Sequence, residues 1–236
     1  MVASKNNEAA RTGNERGFSL VELLTVVAIM MVATGVAYYY LSAHQEMYKA
    51  DEQALIISDV LQEARQRSLT QRETIRVEID MTDNIVRLFD ENSPATVSDD
   101  APIRTVSLLS PTEVTIDERP QQIGDNPPEE FPVPNANFEQ SIYPSSLAHD
   151  VCTLRFQSDG TVVDQGTNET GSGAVTTGMT LHVWSPDETQ PTNSKIARAI
   201  TVIGTTGAIR LWEYDPTLQG TTYWKDSRRT SIYGAN

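Results

Sequence analysis

Arg16-Gly17-Phe18-Ser19-Leu20-Val21-Glu22 leads directly into a long apolar run, and this stretch decides the fold. No charged residue occurs from Leu23 to Leu41, and Glu22 is the only charged side chain between Gly17 and His44. A carboxylate carried to the centre of a bilayer costs roughly 2–4 kcal/mol, so its place at the mouth of such a run requires a role. We interpret the stretch as a processing site joined to an assembly anchor, with the rest of the chain displayed beyond a membrane.

The apolar run over residues 18–41 is long enough to cross a bilayer. Its 24 residues extend about 36 Å as an α-helix at ~1.5 Å per residue, against a hydrocarbon core of ~30 Å. Residues 1–17 are polar, carry three cations against two acids, and are typical of a leader that is removed. Because the cations precede the span and mixed charges follow it, the N-terminus is predicted to be cytoplasmic and the bulk of the chain exported.

The helix is predicted to continue beyond the membrane through residues 42–72. Small and apolar residues recur there at spacings of three and four, and neither Pro nor Gly occurs from 36 to 72. These residues are Met47, Ala50, Ala54, Ile57, Val60, Leu61 and Ala64. The result is a helix of about 55 residues, about 80 Å long, with its lower half in lipid and its amphipathic upper half against a sheet. We assign these residues to the core of the exported domain.

From residue 73 the apolar spacing changes to alternation, which predicts an antiparallel β domain over residues 73–236. The predicted strands cover residues 74–80, 85–89, 103–109, 112–116, 151–157, 161–164, 179–184, 197–203 and 208–214. Proline, asparagine and acidic residues make 117–150 a predicted surface loop. The tail 216–236 has little pattern and is predicted to be partly mobile. The fold class is therefore α+β, with a long N-terminal helix packed on small antiparallel sheets.

The charge distribution argues against a dedicated nucleic-acid-binding protein. The net charge is -14, whereas phosphate contacts are made by Lys and Arg. Residues 90–130 carry ten acids against two arginines, while residues 215–236 carry three cations against two acids. The acidic segment lacks the Asp-x-Asn-x-Asp-Gly pattern of a calcium loop, so we favour a solvated loop over a Ca²⁺ site.

Nucleophilic and metal chemistry find no support in the sequence. Cys152 is the only cysteine, so no intramolecular disulfide forms. His149 lies three residues before it, but a Cys–His nucleophile needs an orienting third group and a pocket. Together with His44 and His182, His149 shows no metal-ligand spacing. We predict a structural cysteine at a strand start, no metal, no cofactor and no enzymatic activity.

A family resemblance is carried by Gly17-Phe18-Ser19-Leu20-Val21-Glu22-Leu23-Leu24, which resembles the prepilin-peptidase motif of type IV pilins and type II secretion pseudopilins. The resemblance implies cleavage between Gly17 and Phe18 and N-methylation of Phe18. It also implies assembly through Phe18 and Glu22, with Leu23 and Leu24 in the docking helix. A buried carboxylate is stabilised by a cation, which the freed amine of Phe18 on a neighbouring subunit supplies. The alternative is a plain signal-anchor helix whose motif residues coincide by chance.

The order of one long helix, hairpins and paired strands resembles the GspH/FimT group of pseudopilins and minor pilins. This resemblance is specific over residues 14–70, looser over 151–214, and absent over 117–150 and 216–236. It implies a non-enzymatic subunit near the tip of a type II secretion pseudopilus, or alternatively a minor pilin of a type IV pilus. The implied partners are prepilin peptidase, other pilins or pseudopilins and an inner-membrane assembly platform. The implied location is the inner membrane, with a single span and a periplasmic C-terminal domain.

The tail Tyr223-Trp224-Lys225-Asp226-Ser227-Arg228-Arg229 interleaves aromatic residues with cations, a composition found in patches that contact single-stranded nucleic acid. Some FimT-type minor pilins bind DNA through a Gly-Arg-x-Arg pattern, of which Gly207-Ala208-Ile209-Arg210 keeps only the last arginine. The DNA-contact hypothesis therefore names Lys225, Arg228, Arg229 and Arg210. An exposed basic tail without a DNA role is favoured, because the body of the protein is acidic. A third hypothesis is a membrane-anchored β-domain that never assembles.

Overall fold

The computed structural model describes residues 19–91, 100, 102–121, 123–185, 197–218 and 223–227. In this part of the chain one helix, α1 (Leu20–Gln71), precedes two antiparallel sheets. The strands are β1 (Thr74–Asp80), β2 (Ile85–Glu91), β3 (Pro102–Ser107), β4 (Thr115–Asp117), β5 (Glu139–Gln140), β6 (Asp150–Phe156), β7 (Val162–Val163), β8 (Met179–Trp184), β9 (Arg198–Ile203), β10 (Ala208–Tyr214) and β11 (Trp224–Asp226). The chain divides into two compact units between Ala43 and His44.

The first unit contains the apolar start of α1. Leu20–Leu41 is long and apolar enough to cross a membrane, and none of its residues is buried within the protein. The hydroxyls of Thr25 and Thr34 donate to carbonyl oxygens of the preceding turn, so these polar groups are satisfied inside the helix. The segment therefore exposes a continuous apolar surface.

In the second unit, one face of α1 is buried against both sheets. Ala50, Ala54, Ile57, Leu61 and Ala64 are fully buried and belong to the same core cluster as residues of both sheets. The three alanines allow the strands to approach the helix closely, and complete burial of a leucine stabilises the fold by about 1.5–3 kcal/mol. The helix is followed by Arg72 in the left-handed conformation, with φ of 61°.

The two sheets have simple antiparallel order. The first sheet runs β3-β2-β1-β6-β5, with β7 also paired to β6, and the second runs β11-β10-β9-β8-β4. The β1–β2 hairpin pairs Asp80 with Ile85 and turns through Asn84 at φ 54°. Ile75, Val77 and Ile79 of β1 point into the core, as alternation predicts. The predicted α+β class, with a long N-terminal helix and antiparallel sheets, is confirmed.

Two predicted strand boundaries are wrong around Ser110-Pro111. The strand predicted over 103–109 ends at Ser107, and the one predicted over 112–116 is β4. The backbone N–H of Leu109 donates to Gln53 Oε1 of α1 at 2.7 Å, rather than to a neighbouring strand. The N–H of Val114 donates to the carbonyl of Ser110 at 3.0 Å, which closes a turn where strand was predicted.

Residues 117–150 were predicted to form a surface loop, but several of the described residues in this segment are buried. We call residues 118–149, which connect β4 to β6, the strap. Ile123, Tyr143 and Ser146 of the strap are almost completely buried. Their positions follow no period of two or 3.6 residues, so pattern reasoning assigned them to solvent.

The described part of the tail contains a strand that the sequence analysis did not predict. Strand β11 pairs with β10, with Trp224 opposite Tyr214, and the Trp224 side chain is buried. Within the part of the tail that the structure describes, Trp224–Asp226 therefore belongs to the second sheet. Arg228 and Arg229 lie outside the described residues.

Candidate functional site

The N-terminal motif enters the described part of the chain at Ser19, so Gly17 and Phe18 lie outside it. Ser19 precedes α1, and Glu22 lies in the first helical turn. Glu22 Oε2 accepts a hydrogen bond from the backbone N–H of Ser19 at 3.1 Å. This is one half of a capping box, in which an acid three residues into the helix satisfies the N-cap amide. The positive end of the helix dipole also favours a carboxylate there.

The capping role of Glu22 is a function that the sequence reasoning missed. Its signal is local, since Ser19-Leu20-Val21-Glu22 has the Ser-x-x-Glu spacing that begins many helices. The carboxylate is thus partnered within its own chain while no second subunit is present. Any intersubunit role for Glu22 must exchange this contact or share it.

Apolar side chains around the motif are uncovered. Leu20, Leu23 and Leu24 are all more than half exposed. Further along α1, residues spaced by seven are also exposed, and we call this set of residues, beginning at Leu20, the stripe. The stripe consists of Leu20, Val27, Thr34, Leu41, Tyr48, Leu55, Gln62 and Leu69. Its six apolar members are 41–78% exposed. A seven-residue apolar repeat is the pattern of helices that pack side by side.

The basic residues named for DNA contact are not assembled into one surface in the described part of the chain. Arg210 Nη1 lies 2.7 Å from Glu129 Oε2, so this arginine is in an ion pair. Lys225 is exposed on β11, next to buried Trp224. The contributions of Arg228 and Arg229 stay predictions.

The strap is fixed to the outer face of the second sheet by Glu129. Its side chain is only 1% exposed. It accepts hydrogen bonds from Thr201 Oγ1 and from Trp212 Nε1. The Trp224 Nε1–H also donates to the strap carbonyl of Asp125 at 2.8 Å. Glu129, which lies in a segment predicted to be solvated, therefore attaches the strap to the second sheet.

The strap also covers a charged outer face of the first sheet. Arg76 is fully buried, and its guanidinium lies 3.0 Å from Glu78, 3.2 Å from Glu91 and 2.8 Å from Asp100. The Tyr143 ring of the strap stacks on this guanidinium at 3.6 Å from the ring centroid. Because Arg76 is buried and paired with several carboxylates, we assign it a structural role.

Other groups complete this buried network. Arg155 of β6 binds the Glu91 carboxylate with two nitrogens, and Ser146 of the strap donates to Glu78 at 2.8 Å. Burial raises the pKa of Glu78, and it raises the pKa of Tyr143 to about 12. A Cβ at Gly171 would fall 1.3 Å from the Arg155 guanidinium, and glycine also permits the φ of 70° found there.

The candidate Cys–His pair does not form. Cys152 is buried in β6 with its Sγ 3.4 Å from Met179 Sδ, and burial raises the pKa of the thiol to about 12. His149 instead places Nδ1 2.8 Å from Asp80 Oδ2. Burial lowers the pKa of His182 to about 3, so that imidazole is neutral beside Trp224. The cysteine is a core residue, as the sequence indicated.

Asp80, Asp83 and His149 form a cluster whose potential ligand atoms all lie within 4.8 Å of one another. Arg87 Nη2 lies 3.0 Å from Asp80 Oδ2 and 2.8 Å from Asp83 Oδ2. The guanidinium is therefore already paired with both carboxylates and competes with any other cation for them. We interpret the cluster as an ion-pair network that fastens the end of the strap to the β1–β2 turn.

This network predicts a pH-dependent contribution to stability. The hydrogen bond to Asp80 raises the pKa of His149 above its ordinary value. The stabilisation is therefore fully present below the unfolded-state pKa and is lost as pH rises through the folded-state pKa. Urea unfolding of wild type and His149→Gln should differ more at about pH 5.5 than at about pH 8.5, on either side of the unperturbed pKa of ~6.5. A difference that is the same at both pH values would contradict the assignment.

The N-terminal segment matches a known family model. Residues 12–38 match the family model described as "Prokaryotic N-terminal methylation motif". The N-terminal segment of this chain is therefore similar to this methylation-motif family. The resemblance recognised in the sequence is confirmed over this segment.

Among solved structures, the type IV minor pilin FimU of Pseudomonas aeruginosa is similar at 14% identity, covering 78% of this chain and 98% of that chain, with a TM-score of 0.39. The minor pseudopilin EpsH from the type 2 secretion system of Vibrio cholerae is similar at 13% identity, covering 70% of this chain and 97% of that chain, with a TM-score of 0.41. A search of curated proteins gives no match.

Proposed function

We propose that this protein is a non-enzymatic minor subunit of a type II secretion pseudopilus. It is cut by prepilin peptidase between Gly17 and Phe18, N-methylated on Phe18 and assembled through the apolar start of α1. The observation that carries the proposal is the N-methylation motif at the mouth of an apolar helix whose first turn holds a single carboxylate. A neutral glutamine could also cap the helix, whereas a carboxylate adds an insertion cost, so the charge of Glu22 favours a role in assembly.

Glu22 supplies the polar step of assembly. Cleavage after Gly17 creates an α-amine at Phe18, and methylation leaves it basic. In a filament the amine of one subunit then pairs with the Glu22 carboxylate of its neighbour. In surroundings of low dielectric constant this pair is much stronger than in water, whereas either charge alone is strongly disfavoured. The ion pair therefore favours the axial position at which the Phe18 amine of one subunit meets the Glu22 carboxylate of its neighbour.

The stripe supplies the apolar step. Leu20, Leu41 and Leu55 are exposed, and the separations between them are multiples of seven residues. Side-by-side packing with helices of neighbouring subunits would bury these residues together with Leu23 and Leu24. We place the leader in the cytoplasm, the span in the inner membrane and the sheets in the periplasm. The partners are other pilins or pseudopilins, the assembly platform and prepilin peptidase.

A minor pilin of a type IV pilus is the alternative, since the same motif serves both machines. Deleting the gene separates the two: loss of secreted protein with normal pili supports the pseudopilus, and loss of surface pili with normal secretion supports the pilus. We give DNA uptake a lower rank, because Arg210 is paired with Glu129 and Trp224 is buried.

Mass spectrometry of the membrane-extracted protein tests the proposal directly. The mature chain is expected to begin at N-methylated Phe18. Gly17→Val is expected to leave residues 1–17 attached, because the bulky side chain occupies the cleavage position. Gly35→Ala is the matched control and should be processed normally, since an added Cβ there meets nothing within 4 Å. An intact Met1 in the wild type, or cleavage near Ala33, would refute the proposal.

A further inference from the structure

A cavity of about 260 Å³ lies between β6 of the first sheet and the start of β8 in the second. Its walls come from the strap, from residues 152–154 and 164–166, and from residues 177–179. Strand β1 pairs with one edge of β6, while β5 and β7 pair with the two ends of the other edge. The described sheet therefore leaves that edge without a strand at residues 152–154, and the cavity lies beside this gap.

Two carboxylates line the cavity without a neutralising cation. They belong to Glu139 and Asp164, and no Lys, Arg or His is among the described lining residues. The Oδ1 atom of Asp164 accepts the backbone N–H groups of Gly166 at 3.0 Å and Val175 at 3.1 Å, which fixes this carboxylate in place. The charge of the lining therefore favours a cationic ligand.

Two buried oxygen atoms of the lining are unpaired. Thr153 is 7% exposed and Gln165 is 5% exposed. Thr153 Oγ1 and Gln165 Oε1 are shielded from solvent and have no hydrogen-bond partner within the described chain. Because folded proteins pair almost all of their buried polar atoms, these two oxygens indicate a ligand that brings hydrogen-bond donors.

The floor and the size of the cavity favour an organic cation over a metal ion. Cys152, Leu154 and Met179 line the cavity and belong to the apolar core cluster. A water-sized group needs only about 10–15 Å³ of such a cavity, so a bare ion would leave most of it unfilled. An aliphatic stem that ends in a charged group matches both the apolar floor and the polar lining.

We propose that this cavity binds one alkylguanidinium group, which is the chemical group of an arginine side chain. Its aliphatic stem lies against Leu154 and Met179, while its charge is balanced by the two carboxylates. Thr153 and Gln165 accept its remaining N–H groups. A guanidinium suits these acceptors because it presents several N–H donors in a planar fork. The site lies outside the surface of α1 that we assign to assembly, so it does not depend on the proposed function.

Isothermal titration calorimetry of the full-length protein, in detergent and at low salt, tests this site. The probe is a tripeptide with blocked ends and a central arginine, and the control ligand carries citrulline, which has a similar shape without the charge. One arginine peptide per chain is expected to bind at least about tenfold more tightly than the citrulline peptide, because charged hydrogen bonds are the stronger ones. Equal affinities, or no saturable binding of the arginine peptide, would overturn the proposal.

Two Asp→Asn variants locate the bound cation. Asp164→Asn keeps an oxygen that can accept the Gly166 N–H and is expected to weaken binding of the arginine peptide about tenfold. Asp159→Asn is the matched control, because Asp159 accepts the Thr161 N–H in the same way but does not line the cavity. Its affinity should equal that of the wild type. An affinity that does not respond to Asp164→Asn would place the peptide elsewhere and overturn the site.

Thr153→Val separates ligand binding from a structural role. Valine keeps the branched shape and removes the unpaired hydroxyl, so the urea midpoint of the free protein should rise while peptide affinity falls. A lower midpoint would show that the hydroxyl is already satisfied in the free protein, which contradicts the proposal.

Two further ligands identify the source of the cation. Butylguanidinium that binds as tightly as the arginine peptide supports the site and indicates a free small guanidinium compound. Tighter binding of the peptide supports the site and indicates an arginine of a partner protein. Calcium chloride that binds in an Asp164-dependent manner, while the arginine peptide does not bind, would assign the cavity to a metal ion and overturn the proposal.

Discussion

Replacing Glu22 by glutamine is expected to reduce recovery of the protein in sheared filaments by about ten- to 150-fold, the equivalent of losing a charged hydrogen bond worth about 1.5–3 kcal/mol. Removal of residues 1–17 should be unaffected. Glutamine keeps an oxygen that can accept the Ser19 N–H, which lies 3.1 Å from the carboxylate in the native chain. The helix start is therefore preserved, while the charge that pairs with the Phe18 amine is lost.

Two companion variants separate charge from capping. Glu22→Ala removes both and should assemble no better than Glu22→Gln. Glu52→Gln is the matched control, since it removes an exposed carboxylate from the same helix outside the apolar run. It should be recovered at the wild-type level. Filament recovery is read by immunoblotting of sheared fractions against total protein. Normal recovery of Glu22→Gln would show that the carboxylate acts only as a helix cap.

Replacing Arg76 by methionine is expected to lower the free energy of unfolding by about 3–5 kcal/mol. The guanidinium is fully buried and lies within 3.2 Å of three carboxylates. Methionine fills part of the volume but leaves those acids without their central cation, and it removes the stacking partner of Tyr143. Urea unfolding of the full-length protein, followed by near-ultraviolet circular dichroism, measures the change.

The matched control for Arg76 is Lys49→Met. Lys49 pairs with Glu113 at 3.0 Å, but both side chains are 41% exposed. An exposed pair of this kind contributes about 0–1 kcal/mol, so the two basic-to-methionine changes should differ clearly. A loss at Arg76 as small as that at Lys49 would mean that the buried network does not hold the strap.

The sequence predicted well those parts of the fold that carry their own period. Alternation placed β1 and β2 around the Asn84 turn, and small residues at three- and four-residue spacing placed the buried face of α1. The N-terminal motif was equally readable because it is contiguous. Such features depend on neighbours in sequence, which a pattern records directly.

The sequence pattern did not predict that the outer faces of the sheets are covered. In β1 the alternating positions Arg76 and Glu78 suggest a solvated face, yet both are fully buried. What covers them is Tyr143, from a segment more than sixty positions away that follows no period. One available signal was the set of opposite charges on neighbouring strands, with Arg155 of β6 facing Glu91 of β2 across β1. Pairing of that kind becomes visible only once strand order is known.

The attachment of α1 to the sheets has a mechanical consequence. Besides its buried apolar face, the helix is fastened laterally: Arg198 of β9 holds Asp51, Arg104 of β3 holds Asp59, and Arg65 donates to the carbonyl of Thr206. A pull along the helix axis loads these contacts in shear, so that they share the force and must yield together. Because close-packed interiors transmit strain, tension on the helix spreads into both sheets instead of peeling one from it.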